Sequence, residues 1–177
     1  MRQLFIGLML MMSITAQASD MDRLKQAGFP AQVEGLALKN QAVLNYLWAD
    51  VYAAALYAPA DLTARQAWDQ QKALRLVLYY FRNIDRADVI KAASATLERQ
   101  QTNAGLNPEI ARLHACFRDI RSGDRYALDF RPGRGLNLEI NGQVVFSSSD
   151  DALARAYLGI WLAPEGLSDE LRDKLLD

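Results

Sequence analysis

The chain has one cysteine and one histidine among its 177 residues. With Cys116 alone, no internal disulfide is possible in any redox compartment. One cysteine and one histidine cannot assemble a Cys/His zinc site. No Cys-x-x-Cys-His run offers covalent haem attachment, so no cofactor is expected. Cys116 lies between Leu113 and Ile120 on a predicted helix face and is read as a small buried hydrophobe. His114 has no partner group in the sequence and is read as a solvent-side or core-edge imidazole. An excess of charge is also missing. Twenty Lys and Arg stand against 21 Asp and Glu, a formal net charge of −1, with no basic stripe or acidic tail. That excludes the usual electrostatic footprint of a nucleic-acid binder. Low-complexity linkers and repeats are absent too, so one domain over about 22–177 is expected.

The N-terminus reads as a targeting signal. Arg2 supplies a positive start, Leu4 to Met12 an apolar run, and Ala16-Gln17-Ala18 a small-x-small cleavage site before Ser19 and Asp20. The run is short of the roughly 20 apolar residues that a membrane span needs, so no transmembrane segment is expected. Residues 1–18 are assigned to a cleaved signal peptide, and the mature chain is expected to start near Ser19.

Asp20 to Ala27 is read as a polar lead-in ended by Gly28-Phe29-Pro30. Strands are predicted at Val33 to Lys39, Ala42 to Trp48, Val51 to Ala58 and Ala73 to Phe81. In the last of these Leu74, Leu76, Leu78 and Tyr80 share one face. Thr63 is among the caps for a short helix containing Trp68, and Asp85 caps a helix running to about Gln101. Val89, Ile90, Ala93, Leu97 and Thr96 mark its inner side. Pro108 starts a further helix with Ile110, Leu113 and Phe117 at helical spacing. Tyr126, Leu128 and Phe130 alternate as a strand, as do Leu136, Leu138 and Ile140. Pro132-Gly133-Arg134-Gly135 leads into a strand, so it is a hairpin turn and not a phosphate cradle. Asn141-Gly142 signals a type I′ hairpin into Val144 to Phe146. Helices from about Ser149 to Trp161 and from Ser168 close the chain. Segregated strands and helices predict an α+β fold, a large antiparallel sheet with helices packed on it.

The segment Val51-Tyr52-Ala53-Ala54-Ala55-Leu56-Tyr57-Ala58-Pro59 has no charge and is apolar on both alternating faces, as in a strand covered on both sides. Its three alanines leave room beside the backbone for either a closely packed helix or a ligand. This stretch resembles the signature strand of the bacterial chalcone isomerase-like proteins. Lys72 to Arg82, then Gly123-Asp124, Pro132-Gly133-x-Gly135 and Asn141-Gly142, then Gly159-Ile160-Trp161-Leu162 to Leu175-Leu176, resemble further motifs of that family in order. The resemblance implies a chalcone isomerase-like fold with a ligand cleft between sheet and helices. With the N-terminal signal it implies a periplasmic protein.

In the enzymes of that family an arginine before the signature strand steadies the substrate's anionic oxygen, a role suited to a permanently charged fork of donors. Fatty-acid-binding relatives use the same arginine for the carboxylate. The ungapped register back from Tyr52 puts Asn45 at that position, and no arginine occurs from Lys39 to Asp50. Tyr52 matches the family's hydroxyl, and Val89 and Thr96 stand where the plant enzymes carry Tyr and Asn. Arg75 and Arg82 are candidate substitutes, with Arg75 read as an edge or rim residue. The candidate ligand-binding residues are therefore Asn45, Tyr52, Arg75, Val89 and Thr96. The expected function is non-catalytic binding of a fatty acid or other hydrophobic small molecule. The alternatives are an intramolecular lyase or isomerase with a modified site, and an envelope protein that binds partners through Trp48, Trp68 and Trp161.

Overall fold

The computed structural model describes residues 19–46 and 49–177. The assignment of residues 1–18 to a signal peptide, and Trp48, lie outside the described residues. The strands are β1 (Gln32–Val33), β2 (Leu36–Tyr46), β3 (Ala49–Ala58), β4 (Leu74–Tyr80), β5 (Arg125–Arg131), β6 (Gly135–Ile140) and β7 (Gln143–Ser148). They form one antiparallel sheet in which spatial order follows chain order. The helices are α1 (19–27), α2 (Ala64–Asp69), α3 (Arg86–Arg99), α4 (Asn107–Ala115), α5 (Asp151–Leu162) and α6 (Asp169–Leu176). The architecture is α+β, as expected.

Local chemistry accounts for most boundaries. Thr63 and Gln66 make a reciprocal capping box at α2. Asp150 and Ser168 accept backbone N–H groups at the starts of α5 and α6. Asn141 and Gly142 both have positive φ, 51° and 79°, as a two-residue type I′ hairpin requires. Gly135 is fixed by space as well as by its φ of 79°, since a Cβ there would lie 2.0 Å from the Ser148 carbonyl oxygen.

Period-two alternation sorts the sheet into two faces. Tyr52, Ala54, Leu56, Leu76, Leu78, Tyr80, Tyr126, Leu128 and Leu138 point to the main core beneath α2 to α6. Ala53, Ala55, Tyr57 and Val77 point the other way, where α1 and Phe29 cover β3. None of the three alanines lines the cavity described below. Ala53 packs with Ala27 of α1, so the room they leave is taken by close packing. α5 is buried on nearly every side, from Leu153 to Leu162, and is the central helix of the core.

Two stretches differ from expectation. β2 is one continuous strand from Leu36 where two were predicted, and Val33, placed in the first of them, belongs to β1 across a turn at Glu34 and Gly35. β2 absorbs an irregularity between Leu38 and Asn40 as a bulge, and the Asn40 amide donates to the Leu175 carbonyl at 2.9 Å. The stretch read as a polar lead-in is helical. Leu24 and Ala27 dock it on β3, and Arg23 reaches across to Asp50.

Candidate functional site

A cavity of about 350 Å³ lies between the inner face of the sheet and helices α3 and α5. Its sheet wall comes from Leu44 and Tyr46 of β2, Tyr52 of β3, Leu76, Leu78 and Tyr80 of β4, and the facing residues of β5 and β6. α3 contributes Val89, Ala92 and Ala93, and α5 contributes Tyr157, Ile160 and Trp161. Phe117, which follows α4, lines it too. The space exists because α3 presents a valine and two alanines to a concave aromatic wall. Bulkier residues at those positions would fill it.

The interior has few polar groups, and they cluster. Burial holds Tyr52, Tyr80 and Tyr157 above the ordinary tyrosine pKa, and for Tyr80 the hydroxyls of Tyr52, Tyr126 and Tyr157 add to the effect. Burial raises the Tyr126 pKa as well, and all four therefore stay protonated at any physiological pH. The Trp161 indole N–H donates to the Tyr52 oxygen at 3.0 Å, which leaves the Tyr52 proton available. The Tyr126 hydroxyl donates to the Arg118 carbonyl at 3.4 Å. Among the described residues, the Tyr80 and Tyr157 hydroxyls have no hydrogen-bond partner. Edge-to-face contacts run from Tyr52 to Tyr80 and from Tyr80 to Tyr126, with ring centroids 5.4 and 5.6 Å apart. Phe117 stacks on Tyr126. Exposed Asp88, with Tyr46 and Leu167, stands at the mouth. His114 packs edge-on against Phe117 and Tyr157 behind this wall, and burial with the nearby Arg86 guanidinium lowers its pKa.

The sequence candidates are dispersed. Tyr52 and Val89 line the cavity. Asn45 does not: Leu44 pairs with Tyr52, and a register shift follows, so Leu44 and Tyr46 face the cavity while Asn45 is exposed. Thr96 lies one turn beyond Ala92, 1% exposed, and its hydroxyl donates back to the Ala92 carbonyl at 2.9 Å. Arg75 is on the opposite face of the sheet, since its neighbours Leu74 and Leu76 take the core face. It is neither edge nor rim but 8% exposed. Its guanidinium donates to Glu139 at 2.6 and 2.7 Å and to Asp129 at 3.2 Å. Arg82 is exposed. Trp68 and Trp161, read as interface anchors, are both buried. Trp68 lies under the Arg155 guanidinium and Trp161 in the cavity wall.

Sequence reasoning missed Tyr80, Tyr126 and Tyr157. Their signals were present as alternation with core residues in β4 and β5 and as the i, i+4 spacing of Tyr157 and Trp161. Only the strand register brings them together.

A family model described as chalcone isomerase-like matches residues 21–177. The chain belongs to the chalcone isomerase-like family. Among solved structures, a fatty-acid binding protein from Arabidopsis thaliana has a TM-score of 0.66 with this chain at 19% identity. The alignment covers 84% of this chain and 90% of that one. At that identity the likeness shows the shared chalcone isomerase-like fold alone. No curated protein sequence matches.

Proposed function

We propose that this protein binds a hydrophobic small molecule of lipid type in the cavity between the sheet and helices α3 and α5, without turning it over. The observation that carries this reading is the cavity itself: about 350 Å³, walled by aliphatic and aromatic side chains, with hydroxyls gathered at one place. That volume falls in the range of about 300–1,000 Å³ typical of small-molecule sites, and such sites are mostly apolar with a few placed polar groups. The Arabidopsis fatty-acid binding protein with the same fold supports the ligand class. Among the described lining residues, the ionisable ones are the buried Tyr52, Tyr80, Tyr126 and Tyr157, held above the ordinary tyrosine pKa, and Tyr46 and Asp88 at the exposed rim. Those buried tyrosines are not poised near neutrality as general acids or bases, which favours binding over catalysis.

Export to the periplasm is part of the proposal, supported by Arg2, the apolar run Leu4 to Met12 and Ala16-Gln17-Ala18. Native mass spectrometry of the protein recovered from periplasmic extract tests both points. The expected result is a chain starting near Ser19 that carries one releasable hydrophobic molecule. A chain that retains Met1, or one that takes up no lipid on reconstitution, would count against the respective part.

A further inference from the structure

The ligand's polar end can be inferred from the charges around the cavity, on the basis that the cavity is a binding site. We infer that this cavity is built for an uncharged amphiphile, an alcohol or carbonyl lipid, and selects against a carboxylate. Among the described residues, no lysine or arginine lines the cavity. The undescribed neighbours of β2, Leu47 and Trp48, are uncharged by sequence. Asp88 at the mouth is the charged residue among the described lining residues, and it repels an anion. An ionised carboxylate brought inside would lose its hydration and gain no counter-charge from the described lining, the costliest way to bury a polar group.

The interior instead supplies neutral donors. Tyr80 and Tyr157 offer hydroxyls with no partner among the described residues. The Tyr52 hydroxyl accepts from Trp161 and keeps its proton to donate. Each hydroxyl both donates and accepts, so the cluster satisfies a lipid alcohol, and as donors the hydroxyls satisfy a carbonyl oxygen. Arg75, the buried cation of this sheet, is on the far face and engaged by Asp129 and Glu139, so it is not available to an acid in the cavity.

Calorimetric titration with dodecanol and dodecanoate, matched in chain and different in head group, tests this. At about pH 8, where a carboxylic acid is fully ionised, dodecanol is expected to bind at least about tenfold more tightly than dodecanoate. Dodecanoate affinity is expected to rise as the pH falls toward 5 and the neutral acid appears, while dodecanol affinity stays level. Tyr80→Phe should lower dodecanol affinity about three- to tenfold and narrow the preference. Leu44→Arg, which puts a guanidinium beside Tyr52, should raise dodecanoate affinity and close the gap. Equal or tighter binding of dodecanoate by the unaltered protein at about pH 8 would overturn the inference and leave the binding reading intact. Binding of neither compound would overturn both.

Discussion

On the helix-covered face of the sheet, Tyr52, Tyr80 and Tyr126, joined by Tyr157 of α5, bring four hydroxyls and no ion to a cavity. On the other face, two of the same strands build a compact ion cluster. Arg75 of β4 lies between Asp129 of β5 and Glu139 of β6, with Arg131 bonded to the same Asp129 at 2.8 Å and Glu34 at the edge. A cation and two carboxylates are thus buried with their partners provided, as low dielectric demands. Behind Asp88 at the mouth, the cavity receives only groups that can be buried neutral. The difference separates two uses of buried polarity. The ion cluster matches its charges internally, with only the Arg75 Nε left unpartnered among the described residues, and ties strands together. The hydroxyl cluster is incomplete and leaves hydrogen-bonding capacity for something else.

The largest expected effect comes from breaking the ion cluster. Arg75→Met leaves Glu139 buried without its cation and Asp129 with Arg131 alone, and should cost about 3–5 kcal/mol, measured by urea denaturation. The folded fraction should bind ligand as before, and a loss of affinity equal to that of a cavity variant would erase the distinction between the faces. Tyr52→Phe is smaller. It deprives the buried Trp161 N–H of its acceptor and should cost about 1–3 kcal/mol. Tyr80→Phe, with no partner hydroxyl to orphan among the described residues, should stay within about 0.5–1 kcal/mol of the parent. If Tyr80→Phe proves the more destabilising of the two, the Tyr80 hydroxyl is already satisfied and the incomplete-cluster account fails.

The smallest effect is a pH dependence of stability on the cavity side. The folded-state pKa of His114 lies below its ordinary value because burial and the Arg86 guanidinium disfavour the imidazolium. Its contribution to stability is therefore fully present above the unfolded value of about 6.5. It is lost as pH falls from there toward the lower folded value, because the unfolded chain takes the proton first. Thermal melts taken through that window should show a slope that His114→Phe flattens. An unchanged slope would assign the acid sensitivity to other groups.

Much of the fold was legible because its signals are local. Alternation marks β4 to β6, Asn141-Gly142 fixes a hairpin, and Thr63, Asp85 and Ser168 mark helix starts. The misread stretches depend on distant contacts. β2 runs through Asn40 because that side chain is held by Leu175, 135 residues away. Helix 19–27 stands on Leu24 and Ala27 docking against β3, too few apolar positions to announce a helix. The site was legible only where family resemblance pointed, at Tyr52 and Val89. Asn45 and Arg75 each turned on which face a strand residue takes, and a single register step decides that. The tyrosine cluster draws on β3, β4, β5 and α5, and no local window contains it.

The most direct test of the account is whether the cavity is where ligand binds. Ala93→Phe fills the space from α3 without adding charge, and Val89→Trp does so from the previous turn. Stoichiometric dodecanol binding by the unaltered protein should be lost, by calorimetry, in whichever of these variants keeps a cooperative melt. Full-affinity binding by a folded, cavity-filled variant would contradict the account and move the ligand elsewhere on the molecule.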